Sequence, residues 1–176
     1  MPELPPPPLN TERLTLRTPQ SEDARRLAEL ANDYDVARMT TRMPHPYTAR
    51  DAETLIARVR ALPDGQQRTL VIEADGGPAG LIGFFTDAGE RLPEIGYWLG
   101  RPYWGRGYAT EAACAALAWA EAAWGAKAVK SGHFADNETS GRVLCKAGFL
   151  YTGVIEPRFS QARGEVTPTR MMVWLA

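Results

Sequence analysis

The stretch Pro93–Trp124, PEIGYWLGRPYWGRGYATEAACAALAWAEAAW, constrains the fold of this chain more than any other. Pro93–Gly100 reads as a strand, two glycines bracket Arg106, and the alanine-rich run Tyr108–Trp124 reads as a helix. The segment KAVKSGHF that follows has the pattern of a second strand. Strand, helix and strand in this spacing make a crossover, which requires a sheet for the helix to cover. The helix is apolar almost all round, so close packing on that sheet is expected.

The flanking segments supply the rest of the sheet. RLTLRTP alternates Leu14 and Leu16 with polar neighbours and reads as a strand. SEDARRLAELAND reads as a helix capped by Ser21, with Leu27, Leu30 and Ala31 in one stripe. TARDAETLIARVRAL reads as a second helix capped by Thr48, with Ala52, Leu55, Ile56 and Val59 on one face and a turn at Pro63-Asp64-Gly65. TLVIEA and AGLIGFF, joined by Asp75-Gly76-Gly77-Pro78, carry a hairpin signal. NETSGRVLCKAG reads as a helix with Asp136 or Asn137 as cap and Gly148 as stop. FLYTGVIE and TRMMVWLA read as closing strands. The order β, α, α, three strands, α, β, α, β, β predicts one α/β domain over 11–176. Its sheet is mixed and mostly antiparallel, and a proline-rich tail spans 1–10, where Pro5–Pro8 reads as polyproline or a loose end.

Composition narrows the function. The 176 residues are 44% apolar and 23% charged, as expected of a globular domain with its own core. The formal net charge of −1 argues against nucleic acid as the partner. No apolar run reaches the roughly 18 residues of a membrane span, and the first residues lack a secretory pattern. Cys114 and Cys145 have no metal-type spacing and are expected to be small buried apolar side chains in a reducing, cytoplasmic compartment. His45 and His133 lie far apart in the sequence and point to no metal site; His45 reads as loop structure and His133 as a packed or exposed strand residue.

The glycine–arginine loop suggests an anion. A helix begins with backbone N–H groups that lack intrahelical partners, and its dipole adds partial positive charge there. Gly105 and Gly107 permit close approach to the backbone and Arg106 adds a permanent charge, a combination suited to a pyrophosphate. A tight strand-to-helix turn would explain the two glycines equally well. The loop has no Gly-Lys-Ser/Thr, so it is not a P-loop. Thr110 stands where a dinucleotide fingerprint needs Gly or Ala, and Lys130-Ser131 where it needs an acid.

Glu94–Ala112 and Asp136–Phe149 resemble the two signature blocks of GNAT-superfamily N-acetyltransferases, and are most similar to the branch that acetylates N-termini of ribosomal proteins. The element order is similar too, so the resemblance spans nearly the whole chain. It implies a GNAT-like fold with splayed central strands and acetyl-CoA as cosubstrate, with no metal. The backbone of Arg106, Gly107, Tyr108, Ala109 and Thr110, with Gly105, would hold the pyrophosphate, and the backbone of Trp98 and Leu99 the pantetheine arm. Asn137 resembles the pantetheine-binding asparagine of the family. Trp104 replaces the first residue of the family's loop pattern. Many members carry a tyrosine acid four residues after the position of Ser140; here that position is Leu144, and Ser140 is the candidate partner of the departing thiolate.

Acetyl transfer needs a neutral amine, a base to take its proton and donors for the leaving group. Glu94, at the start of the strand before the loop, is the candidate base, with Glu73 a weaker substitute. Alternation puts Glu94, Gly96 and Trp98 on one face. The competing readings are a strand-end carboxylate for Glu94, a helix cap for Asn137 and a solvated serine for Ser140. Tyr97, Tyr103 and Trp104 are candidates to line the acceptor pocket or to pack in the core. The acceptor, a protein N-terminus or a small amine, would meet Thr40–Thr48 and the strand pair near Pro157–Pro168. A homodimer is compatible with the family pattern. The alternative function is a non-catalytic acyl-CoA-binding module, suggested by Leu144.

Overall fold

The computed structural model describes residues 8–62 and 68–176. Pro5–Pro7 and the expected turn at Pro63-Asp64-Gly65 lie outside them. Eight strands form one sheet: β1 (Leu9–Asn10), β2 (Thr15–Arg17), β3 (Thr69–Ala74), β4 (Gly77–Phe85), β5 (Glu94–Leu99), β6 (Ala128–Phe134), β7 (Leu150–Ser160) and β8 (Glu165–Leu175). Their spatial order is β1-β2-β3-β4-β5-β6-β8-β7. Every neighbouring pair is antiparallel except β5–β6, the pair joined by the crossover helix. The helices are α1 (Asp23–Ala31), α2 (Tyr34–Ala37), α3 (Ala49–Arg60), α4 (Tyr108–Trp124) and α5 (Glu138–Lys146). None of them is long and apolar enough to cross a membrane.

Strand alternation divides the core into two layers. Leu70, Ile72, Ile82, Phe84, Ile95 and Leu99 face α4 and α5, where Ala112, Ala113, Ala116 and Ala120 are fully buried. Alanine lets the helix axis approach the sheet, as the apolar run implies. Val71 and Leu81 face the other way, against Leu27 and Ala31 of α1 and Ala52 and Ile56 of α3. The exposed stripe of α4 includes Cys114, and Cys145 of α5 is exposed as well, contrary to the expectation that both would be buried. Both lie on the outer face of helices whose inner faces are filled by alanine and leucine.

Helix starts follow local chemistry. Thr48 caps α3 in a reciprocal capping box with Asp51. Ser21 does not cap α1: its hydroxyl accepts from Arg60 Nη1 at 3.0 Å, and the helix begins later, at Asp23. Asp23 accepts Gln20 N–H at 2.7 Å and a bidentate pair from Arg17 at 2.8 Å. Burial alone would raise the Asp23 carboxyl. The Arg17 hydrogen bonds and the Gln20 N–H outweigh it and hold the group below its usual range. The stability this contributes is present above the unfolded carboxylate pKa of about 3.9 and is lost as pH falls through the lower folded value. Asp23→Asn should therefore cost about 2 kcal/mol at pH 7 and flatten the fall in urea midpoint between pH 5 and pH 2. An unchanged slope would remove Asp23 from the acid transition.

The closing hairpin runs further than its prolines suggest. β7 and β8 pair through Pro157↔Pro168. Two prolines cannot exchange N–H···O bonds, so the pair must occupy a non-hydrogen-bonded site, where neither N–H is needed. The Pro168 carbonyl accepts from Ala135 N instead, at 2.8 Å.

Candidate active site

β5 and β6 share one register pair, Glu94↔Lys130, and then part. Beyond it a side-chain hydroxyl rather than a peptide N–H reaches across: Ser131 Oγ donates to Ile95 O at 3.0 Å. The expected splay is therefore present, and it leaves an opening through the sheet. Gly100 N donates to Ala79 O at 2.8 Å, so the even-numbered peptide groups of β5 face β4. By alternation those of Tyr97 and Leu99 face the opening. Trp98 does not: its carbonyl oxygen lies against Gly80 of β4. Of the two backbones expected at the pantetheine arm, Leu99 is directed at the opening, and its oxygen accepts from the Trp104 indole N–H at 2.7 Å.

The loop before α4 sits at the end of this opening. Gly105 and Gly107 adopt φ of +70° and +79°, the left-handed region that glycine enters without strain. Gly107 is the residue before the helix, and no side chain caps the N–H groups that follow. Tyr108, Ala109 and Thr110 of this first turn, whose amides lack intrahelical acceptors, line the cleft. Arg106 points elsewhere: its guanidinium pairs with Asp75 at 2.7 Å and lies 4.6 Å from the Tyr108 ring centre. Arg13, which sequence reasoning missed, braces the loop. It donates to Arg106 O at 2.8 Å and pairs with Glu111 of the first helical turn at 2.7 Å. No local pattern marks it, because its partners lie more than 90 residues away.

The two faces of the opening carry different chemistry. On the α4–α5 face, Asn137 Oδ1 caps α5 by accepting Ser140 N–H at 3.2 Å, which leaves the asparagine N–H donors unused by the cap. Ser140 Oγ lies 2.9 Å from the Tyr97 hydroxyl. Leu144 is fully buried among Phe149 and Met172, away from the cleft. On the other face Glu94, 5% exposed, accepts both Nη groups of Arg158, with Nη2 at 3.0 Å, and lies 3.8 Å from Lys130 Nζ. Arg158 also reaches Glu156 at 3.0 Å. Glu73 is not at the cleft; it pairs with Arg17 at 2.6 Å near the outer strands. His133 is packed, with Nδ1 2.8 Å from Phe134 O and Nε2 2.9 Å from the Tyr151 hydroxyl. Among the described residues no group of His, Cys, Asp and Glu is placed to hold a metal.

The two segments expected at the acceptor meet over the Glu94 face. Gln161 N donates to Thr41 O and Ser160 Oγ to Thr40 O, both at 3.0 Å. Arg163 fastens the junction, donating to Arg38 O at 2.6 Å and pairing with Asp136 at 2.8 Å. Thr41, Met43, Tyr47 and Arg158 line one side of a cleft of about 1460 Å³, and Gly107–Thr110 line its other end. That volume exceeds what one drug-sized ligand needs and has room for two reactants.

The acetyltransferase (GNAT) domain profile matches residues 13–150 of this chain. The chain belongs to the GNAT acetyltransferase family. Its members are acyltransferases, and the fold agrees with that membership. The chain is 26% identical over 166 residues to an uncharacterized N-acetyltransferase, p20, of Bacillus licheniformis, covering 93% of each. Its fold is similar to that of a GNAT-family acetyltransferase from Bacillus anthracis, with a TM-score of 0.80 at 23% identity over 95% of this chain and 97% of the other. It is also similar to RimL, the ribosomal L7/L12 α-N-protein acetyltransferase solved with coenzyme A, with a TM-score of 0.80 at 15% identity over 96% and 97%.

Proposed function

We propose that this GNAT domain transfers the acetyl group of acetyl-CoA to a primary amine, a protein N-terminal α-amine or a small-molecule amine, by direct attack within a ternary complex. The observation that carries this reading is the two-sided opening between β5 and β6. A helix start with uncapped amides stands at one end, a hydroxyl pair on one face and a carboxylate on the other. The cofactor enters from the α4–α5 face. Its pyrophosphate rests on the amides from Arg106 to Thr110, and its arm runs along the Tyr97 and Leu99 peptide groups and the Asn137 amide. Structures of RimL with coenzyme A and of the MccE acetyltransferase with acetyl-CoA and AMP support this choice of cosubstrate.

The amine approaches from the face roofed by Thr40–Tyr47 and the β7–β8 turn. Its nitrogen attacks the thioester carbonyl. Glu94 takes the proton released, directly or through a water; Arg158 occupies two of the carboxylate's four lone-pair sites and leaves the others for this transfer. The C–S bond then breaks, the electron pair goes to sulfur, and the Ser140 hydroxyl donates to the thiolate until solvent returns a proton.

Gly107→Ala tests the cofactor end. An alanine at φ +79° is strained by about 1–2 kcal/mol, and its Cβ would lie 3.3 Å from Arg13 Nη2. Calorimetry should show acetyl-CoA binding weakened about tenfold while the protein stays folded. Equal affinity would remove the loop from the site. For turnover, acetyl-CoA with a panel of peptide N-termini and small amines should release free thiol. Binding without release across a broad panel would favour the non-catalytic module instead. The reason for that alternative has weakened, since Leu144 is a core residue and the cleft carries two other hydroxyls.

A further inference from the structure

We propose that Tyr97 is a positioning residue for the transfer step: it donates to Ser140 and thereby turns the serine proton toward the departing sulfur. This rests on the reading of Ser140 as the thiolate's partner. Tyr97 stands on β5 where the strand leaves β6, and its side chain crosses to the first turn of α5. Two acceptors are within its reach, and both belong to one residue: Ser140 Oγ at 2.9 Å and Ser140 O at 3.3 Å. A carbonyl accepts only, so any hydrogen shared with Ser140 O comes from the phenol. Of the two hydroxyls at 2.9 Å either can donate, and the proposed role gives the phenol the donor's part. When the phenol hydrogen rests on Oγ, the serine's own hydrogen must point away from Tyr97. The backbone beneath cannot rotate freely, because Ser140 N–H is held by Asn137 Oδ1 at 3.2 Å. The hydroxyl rotor is the one local freedom left, and Tyr97 sets it.

The phenol acts as a donor and keeps its proton. Burial pushes the Tyr97 hydroxyl up to about 12, and its hydrogen-bonding contact with Ser140 opposes the shift more weakly. A thiol of ordinary acidity titrates near 8.5, so its thiolate is too weak a base to deprotonate Tyr97 or the serine behind which it stands. No bond to hydrogen at Tyr97 breaks in this role. The electron pair of the broken C–S bond stays on sulfur and is stabilised through Ser140 Oγ–H. The same helix buries Leu144 in the core, so α5 itself offers the sulfur no phenol; the facing strand brings one to Ser140 instead.

Tyr97→Phe, Ser140→Ala and the double variant test this in the full-length enzyme with acetyl-CoA and whichever amine the panel identifies. Tyr97→Phe should lower kcat about fivefold to tenfold, with KM for acetyl-CoA within twofold of wild type. Ser140→Ala should lower kcat more, and adding Tyr97→Phe to it should change nothing further. Multiplying defects in the double variant would show that Tyr97 acts independently of Ser140 and would overturn the proposal. A silent Tyr97→Phe beside a slow Ser140→Ala would overturn it while leaving the Ser140 reading intact. A silent Ser140→Ala would remove both. Should the phenylalanine variant fail to fold, site-specific fluorotyrosines at position 97 give the same readout. A donor role predicts that kcat rises with phenol acidity, and a flat series would leave Tyr97 as packing alone.

Discussion

Gly80→Ala is expected to destabilise the protein by about 4 kcal/mol or more, a large part of the stability of an ordinary domain. A Cβ at this position would lie 2.0 Å from Trp98 O and 2.9 Å from Leu99 Cα. Both are backbone atoms of the neighbouring strand, so no rotamer change relieves the contact. The register Gly80↔Leu99 and the bond from Gly100 N to Ala79 O would have to open. β5 would move with them, and β5 carries Glu94, Tyr97 and the peptide of Leu99. The loss should thus appear both as a lower urea midpoint and as lower activity in whatever fraction remains folded. Gly77→Ala is the control on the same strand: nothing lies within 4 Å of its added methyl, and its midpoint should stay within about 0.5 kcal/mol of wild type. Equal midpoints for the two variants would mean that β4 and β5 are not in this register.

Glu94→Gln should lower kcat about a hundredfold, with KM for acetyl-CoA nearly unchanged. The amide keeps an oxygen for Arg158, and Arg158 keeps Glu156 at 3.0 Å, so the fold should tolerate the change. Arg158→Ala separates chemistry from architecture. It would leave the Glu94 carboxylate, 6% exposed at its side chain, with Lys130 at 3.8 Å as its nearest cation. Leaving a buried charge so poorly paired costs about 3 kcal/mol. If Glu94→Gln turns over at the wild-type rate while Arg158→Ala melts early, Glu94 is an anchor at the foot of the splay and the base lies elsewhere.

Much of this arrangement was legible in the residues. The glycines at 105 and 107, the apolar helix behind them and the strand after it specified the crossover, because each signal is local and the three agree. The Thr48 cap and the hairpin at Asp75-Gly76 were legible for the same reason. The start of α1 was not, since the competing hydrogen bonds of Asp23 come from Arg17 and the hydroxyl of Ser21 is taken by Arg60. Pro157 and Pro168 each break a strand when read alone; only their mutual pairing makes them compatible with one.

The sequence by itself determined that a glycine-flanked helix start follows a strand in an α/β sheet, and through its two blocks it pointed to the family. Those inferences depend on backbone chemistry within a few residues. The tertiary structure alone decided what Glu94 faces, that Trp98 turns its carbonyl from the opening, and that Tyr97 reaches Ser140. It also decided that Arg13 braces the loop and that Arg163 ties the β7–β8 turn to the α2–α3 segment. Each depends on partners tens of residues away in the chain, and a side chain's partners across a sheet are set by register and packing rather than by its neighbours in sequence.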